Sequence, residues 1–124
     1  ILRSETNSKH ENVEGKVYAV EIVPKLCESG RENISKYNFI EKGIVEHICG
    51  DATKGFPQYA PFDKIHAAAA GEDVPRSWKE QLKIGGRIVA PVKSSVWLFV
   101  KKTETEWEEH EYPGFAFVPL IKKN

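Results

Sequence analysis

The sequence predicts an α/β fold with a mostly parallel sheet and an antiparallel hairpin at its C-terminal end. Three observations carry this. Lys16-Val-Tyr-Ala-Val-Glu21 is a near-continuous apolar run, as a strand covered on both faces requires, and Pro24 follows where a helix can begin. The apolar period then switches in the order strand–helix–strand, loop, strand–helix–strand, which places parallel strands side by side. Finally, Ser95–Lys101 and Thr105–Tyr112 are both strand-like and only Lys102-Thr-Glu separates them, which is short enough for a hairpin.

The elements follow in order. Residues 1–15 are polar without a clear period and read as a loose segment or helix remnant, with a turn at Glu14-Gly15. The strand 16–21 comes next. Leu26, Cys27, Gly30, Ile34 and Tyr37 recur at helical spacing, with Asn38 and Gly43 marking the end of that helix. Ile44–Ile48 is a second strand, closed by Cys49-Gly50-Asp51. The stretch 54–61 holds two prolines and a glycine and reads as a loop. Phe62 to Ala70 is a third strand and its exit. Asp73 and Pro75 open a short helix on which Trp78 and Leu82 face the sheet, and Gly85-Gly86 reads as its stop. Arg87–Val92 is a fourth strand, the hairpin follows with its second arm as an edge, and Phe115–Leu120 closes the chain.

Length and composition bound the function. A chain of 124 residues is one domain, 1–124, with room for a core. Lys plus Arg is 18 and Asp plus Glu is 18, which argues against a nucleic-acid surface or an anionic membrane partner. No apolar run approaches the roughly 18 residues of a membrane span. The polar start reads as no signal peptide. A cytoplasmic monomer is expected. The chain has no methionine, so we expect a processed piece or a fragment whose natural start lies upstream. Cys27 and Cys49 lack metal-ligand spacing and are too few for a disulfide scaffold; they read as reduced thiols. His10, His47, His66 and His110 are far apart, and no metal centre is expected. There is no Gly-x-Ser-x-Gly turn, dinucleotide fingerprint or P-loop.

Three strand exits carry the chemistry. Ligands of open α/β sheets bind outside the carboxyl ends of the strands. Glu21 ends the first such strand, where a carboxylate can accept both hydroxyls of an adenosine ribose or simply face water. Gly50-Asp51 ends the second, and Asp51 can accept a hydrogen bond from an adenine amino group. Ala67 to Ala70 ends the third with small residues that leave space for a ligand. Together the exits point to an adenosine-containing cofactor.

At these residues the chain resembles a known family. The run from Gly50-Asp-Ala-Thr through Ala-Pro-Phe-Asp and His66-Ala-Ala-Ala-Ala70 to Val74-Pro75 is similar to protein-L-isoaspartate O-methyltransferases. So are Glu80–Val92, Phe117-Val-Pro-Leu120, and Val17–Glu21 with Leu26-Cys27. The resemblance covers about residues 15–121. It implies a Rossmann-like S-adenosylmethionine-dependent methyltransferase that methylates the α-carboxylate of L-isoaspartyl residues in damaged proteins, a repair activity. It places Glu21 on the cofactor ribose, Asp51 and Ala52 at the adenine, and His66, Ala67 and Ala68 by the methionine moiety. Ala69, Ala70, Val118 and Pro119 fall at the substrate opening. No catalytic side chain is assigned, because an isoaspartyl carboxylate is already ionised at neutral pH and needs placement rather than a base.

The chain departs from the family before Lys16. Only Gly15 stands there, without the glycine-rich turn that follows the family's first, central strand. The expectation is a sheet that lacks its central strand and glycine-rich loop, and a chain inactive by itself. Two other classes stand beside this reading: an NAD-type oxidoreductase using Glu21 on its ribose, and a non-catalytic methyltransferase-fold binding module.

Overall fold

Each strand expected after residue 15 forms, and the computed structural model, which describes residues 2–6 and 14–123, joins them in one sheet. The elements are β1 (Leu2–Thr6), β2 (Glu14–Glu21), α1 (Pro24–Ser35), β3 (Val45–Cys49), β4 (Phe62–His66), α2 (Arg76–Gln81), β5 (Leu82–Val92), β6 (Ser95–Lys101) and β7 (Trp107–Pro113). A single 3-10 turn, Pro57–Tyr59, precedes β4. The sheet order is β3-β2-β1-β4-β5-β6-β7.

Strand direction is what positions the site. β2 pairs with β3 in parallel, and β4 with β5 in parallel. β1 is antiparallel to both β2 and β4, so β2, β3, β4 and β5 all run the same way. Their carboxyl ends therefore share one edge of the sheet. The α/β class holds, but the sheet is mixed rather than mostly parallel, because β1, β6 and β7 each pair antiparallel.

The expected gap at the sheet centre is not there. Leu2–Thr6 fills it, pairing Leu2 with Tyr18 on one side and Ile65 on the other. Two adjacent parallel strands would each leave a row of unpaired N–H and C=O groups, which an available strand satisfies. The direction follows from chain length: seven residues separate Thr6 from Glu14, fewer than the dozen or so a parallel crossover needs. The turn expected at Glu14-Gly15 is instead the start of β2.

Helix α1 begins at Pro24, whose missing N–H costs nothing in the first turn, and Asn38 and Gly43 leave the helical region at φ 59° and 72°. Its apolar stripe is narrower than the spacing suggested. Cys27 is fully buried, whereas Leu26 and Tyr37 are exposed. Helix α2 ends at Gln81, before the two glycines. Gly85-Gly86 lies inside β5, at the register shift between Phe62 and Lys64. A Cβ at position 86 would stand 2.8 Å from the carbonyl oxygens of both Asp63 and Lys83, so only glycine lets β4 and β5 approach there.

The core lies between α2 and the sheet. Phe62 and Ile88 are fully buried, and Trp78 and Leu82 nearly so. Each such side chain contributes on the order of 1.5–3 kcal/mol relative to an exposed one. β7 is an edge strand, and its exposed Glu108, Glu109 and Glu111 discourage pairing with another chain.

Candidate functional site

The three predicted strand exits meet on one edge of the sheet. Glu21, the last residue of β2, is in register with Cys49 of β3, and its carbonyl accepts the N–H of Gly50 at 2.9 Å. Asp51 follows one residue later. Ala67 leaves β4 on the same edge, its N–H bonded to the Val89 carbonyl at 3.0 Å. β1 pairs with β2 only as far as Tyr18 among the described residues, so Ala19, Val20 and Glu21 extend past it at the sheet centre.

Glu21 Oε1 accepts the Val23 N–H at 3.1 Å, which orients the carboxylate across the start of α1. Oε2 takes no hydrogen bond among the described residues. Asp51 is held more tightly. Oδ1 accepts the Thr53 N–H at 2.8 Å and Oδ2 accepts the Lys123 N–H at 3.1 Å. Loss of hydration pushes the Asp51 carboxyl up, but the Thr53 and Lys123 donors and the nearby Lys54 charge outweigh it and hold the group below the usual carboxylate range.

The segment carrying Asp51 and Ala52 is pinned to α2. Trp78 Nε1–H donates to the Ala52 carbonyl at 2.6 Å, and the Ser77 hydroxyl donates to the Thr53 carbonyl at 2.6 Å. A tryptophan buried for its apolar surface thus also fixes the backbone beside the site.

At the third exit, Ala70 is bracketed by the C-terminal tail. Its N–H donates to the Val118 carbonyl at 2.8 Å, and its carbonyl accepts the Leu120 N–H at 2.7 Å. Ala70 and Pro119 form a parallel bridge. Ala70, Val118 and Pro119 therefore come together, with Ala69 one residue away. Val118 is 69 % exposed and Ala68 is also exposed, so this mouth is open to solvent. His66, at the end of β4, is exposed at the same edge. The tail then crosses to Asp51 through Lys123, so one segment touches the second and third exits.

Beside this edge the structure brings together residues that spacing kept apart. Cys27 of α1 and Cys49 of β3 are disulfide-bonded, not separate thiols, with Cα atoms 5.7 Å apart. His47 lies against them, with Nε2 3.2 Å from Cys27 Sγ. The signal was His47-x-Cys49, because residues two apart on a strand share a face. Cys27 joins them only through the packing of α1 on β3, which spacing along the chain does not reveal.

Comparison with known proteins identifies the family. Residues 8–124 match the profile of the protein-L-isoaspartate(D-aspartate) O-methyltransferase family. The chain is 40 % identical over 112 residues to the protein-L-isoaspartate O-methyltransferase of Methanopyrus kandleri, covering 87 % of this chain and 49 % of that protein. Over 116 residues it is 40 % identical to the Thermococcus onnurineus enzyme of that name, covering 90 % and 52 %. The chain spans about half the length of the curated relatives it matches. Its fold is similar to a beta-aspartate methyltransferase from Plasmodium falciparum solved in complex with S-adenosyl-L-homocysteine, with TM-score 0.72, 18 % identity, and coverage of 87 % of this chain and 53 % of that one. A second solved protein-L-isoaspartate O-methyltransferase also gives TM-score 0.72, at 19 % identity over 95 % of this chain and 52 % of that one. On the match over residues 8–124, the chain belongs to the protein-L-isoaspartate(D-aspartate) O-methyltransferase family.

Proposed function

We propose that this chain supplies the adenosine-holding edge of an S-adenosylmethionine-dependent methyltransferase acting on L-isoaspartyl carboxylates in damaged proteins. The observation that carries the reading is the common edge of Glu21, Asp51 and Ala67–Ala70, with one Glu21 oxygen left for a ligand. The residues fit the adenosine part of the cofactor. Glu21 accepts the ribose hydroxyls. Asp51, already bonded to Thr53 and Lys123, keeps lone pairs for the adenine amino group, and Ala52 leaves space beside it. When bound, S-adenosylmethionine supplies an electrophilic methyl group on a sulfonium.

His66, Ala67 and Ala68 border the methionine part, and Ala69, Ala70, Val118 and Pro119 frame the opening for the isoaspartyl peptide. The acceptor carboxylate is ionised at neutral pH, so these residues have to orient it rather than move a proton. No glycine occurs before Gly15, so close backbone approach to the methionine end is not provided by that stretch. We therefore infer that the 124 residues alone bind adenosine compounds weakly and do not turn over. The balanced charge, 18 basic against 18 acidic residues, supports a chain that does not bind nucleic acid. No helix among the described residues is long and apolar enough to cross a membrane.

Family membership favours this over an NAD-type oxidoreductase or a binding module of unrelated ligand. Ligand-observed NMR with S-adenosylhomocysteine and NAD separates them. Saturation transfer to S-adenosylhomocysteine that NAD does not displace is the expected result. Transfer to NAD alone overturns the proposal. In a radiolabelled-methyl assay on an isoaspartyl peptide, the chain should stay at the level of a boiled control.

A further inference from the structure

β3 carries His47 and Cys49 two residues apart, and α1 brings Cys27 onto them. One ligating atom from each lies within 4.8 Å of the other two. The His47 ring has a place made for it. A Cβ at Gly30 of α1 would stand 3.1 Å from its Cε1 and 3.6 Å from its Nε2. A glycine inside a helix is less favourable than alanine, and here it gives the ring room. The ring is nevertheless poorly served by the disulfide. Nε2 faces the Cys27 carbonyl at 2.7 Å, while Nδ1 is buried with no hydrogen-bond partner among the described residues. Disulfide sulfur offers an imidazole little, whereas two thiolates and an imidazole are a donor set that zinc-class ions favour.

We propose that Cys27, His47 and Cys49 form a redox-gated site for a thiophilic divalent cation such as zinc, filled when the cysteines are reduced and emptied when the disulfide forms. The reading is independent of the methyltransferase proposal. A dithiol reductant gives two electrons and two protons to the Cys27–Cys49 bond, leaving two thiols and its own disulfide. As two sulfur–metal bonds form, the thiols release two protons. An imidazole nitrogen fills the third position and water the fourth. Tetrahedral coordination at about 2.3 Å per sulfur sets the sulfurs about 3.8 Å apart. The Cα separation of 5.7 Å allows this by side-chain movement. In the reverse direction, hydrogen peroxide takes two electrons from the thiolates, combines with two protons to leave as two waters, and the ion departs. The device adjoins Glu21, which pairs in register with Cys49.

The test is cobalt titration of the whole chain, reduced with a phosphine that is then removed, against the same chain in its disulfide form. One equivalent should bind to the reduced chain alone, with thiolate-to-cobalt charge-transfer absorption and the visible bands of a tetrahedral ion, and zinc should displace it. Cys49→Ser, at an exposed strand end, should weaken binding at least about tenfold and remove part of the charge-transfer intensity. His47→Ala should shift the visible bands. Competition for zinc between wild type and a chromophoric chelator, in both redox states, needs no variant and should show binding by the reduced form only. Absent charge transfer in the reduced chain, equal binding by the two redox forms, or a Cys49→Ser variant that binds like wild type overturns the proposal.

Discussion

The Asp51 carboxylate accepts the backbone N–H of Lys123 at 3.1 Å, across 72 positions of sequence, and so ties the C-terminal tail to the end of β3. Its other oxygen closes a turn onto Thr53. Asp51→Ala removes both acceptors, and each lost hydrogen bond is worth about 0.5–1.5 kcal/mol. Urea unfolding should register a loss within that range per bond, and hydrogen exchange at the Lys123 amide should become fast. The folded-state carboxyl lies below its unfolded value, so its contribution is complete above the unfolded value of about 3.9. It is lost as pH falls through the depressed folded value. Lys123 protection, measured against pH, should therefore be flat near neutrality and fall only in acid below about 3.9.

Trp78→Phe keeps most of the buried ring but removes the donor to the Ala52 carbonyl at 2.6 Å. An acceptor left without its partner costs about 1–3 kcal/mol. The urea midpoint should fall accordingly. Affinity for S-adenosylhomocysteine should fall with it at temperatures where the variant is still folded, because the Asp51–Thr53 segment loses its anchor. A variant with normal stability and weakened binding would place the effect of Trp78 on the site alone.

Lys101 is 3 % exposed, and its Nζ donates to the carbonyls of Lys79 and Leu82 at 2.8 and 3.0 Å, where α2 passes into β5. These are carbonyls that a helix end leaves without intrahelical partners. Lys101→Met fills similar volume without donating. A loss of about 1–3 kcal/mol in chemical unfolding is expected. Wild-type stability in Lys101→Met would mean that water serves those carbonyls equally well.

The position of Glu21 at a strand end was legible because its strand is a long apolar run ending in a charge, followed by proline. The Asp51 and Ala67–Ala70 exits were legible for a similar reason: each follows a run of strand residues bounded by turn formers. Gly85-Gly86 misled because a helix stop and a strand bulge use the same residue for its missing side chain, and only the approach of β4 decides between them. β1 was invisible, since Leu2–Thr6 has little apolar character and is recruited by the open ladders of β2 and β4. The Cys27–Cys49 bond and the His47 contact depend on how α1 lies across β3, which a one-dimensional pattern does not contain.

The central claim is that Glu21 binds the ribose of an adenosine cofactor. Isothermal titration of S-adenosylhomocysteine into wild type and Glu21→Gln, at pH 7 and with matched unfolding curves, tests it most directly. The account predicts measurable binding to wild type, weakened roughly tenfold to a hundredfold in Glu21→Gln, because hydrogen bonds to a charged group are worth about 1.5–3 kcal/mol. Equal affinity in the two proteins, or no binding to folded wild type, would contradict it.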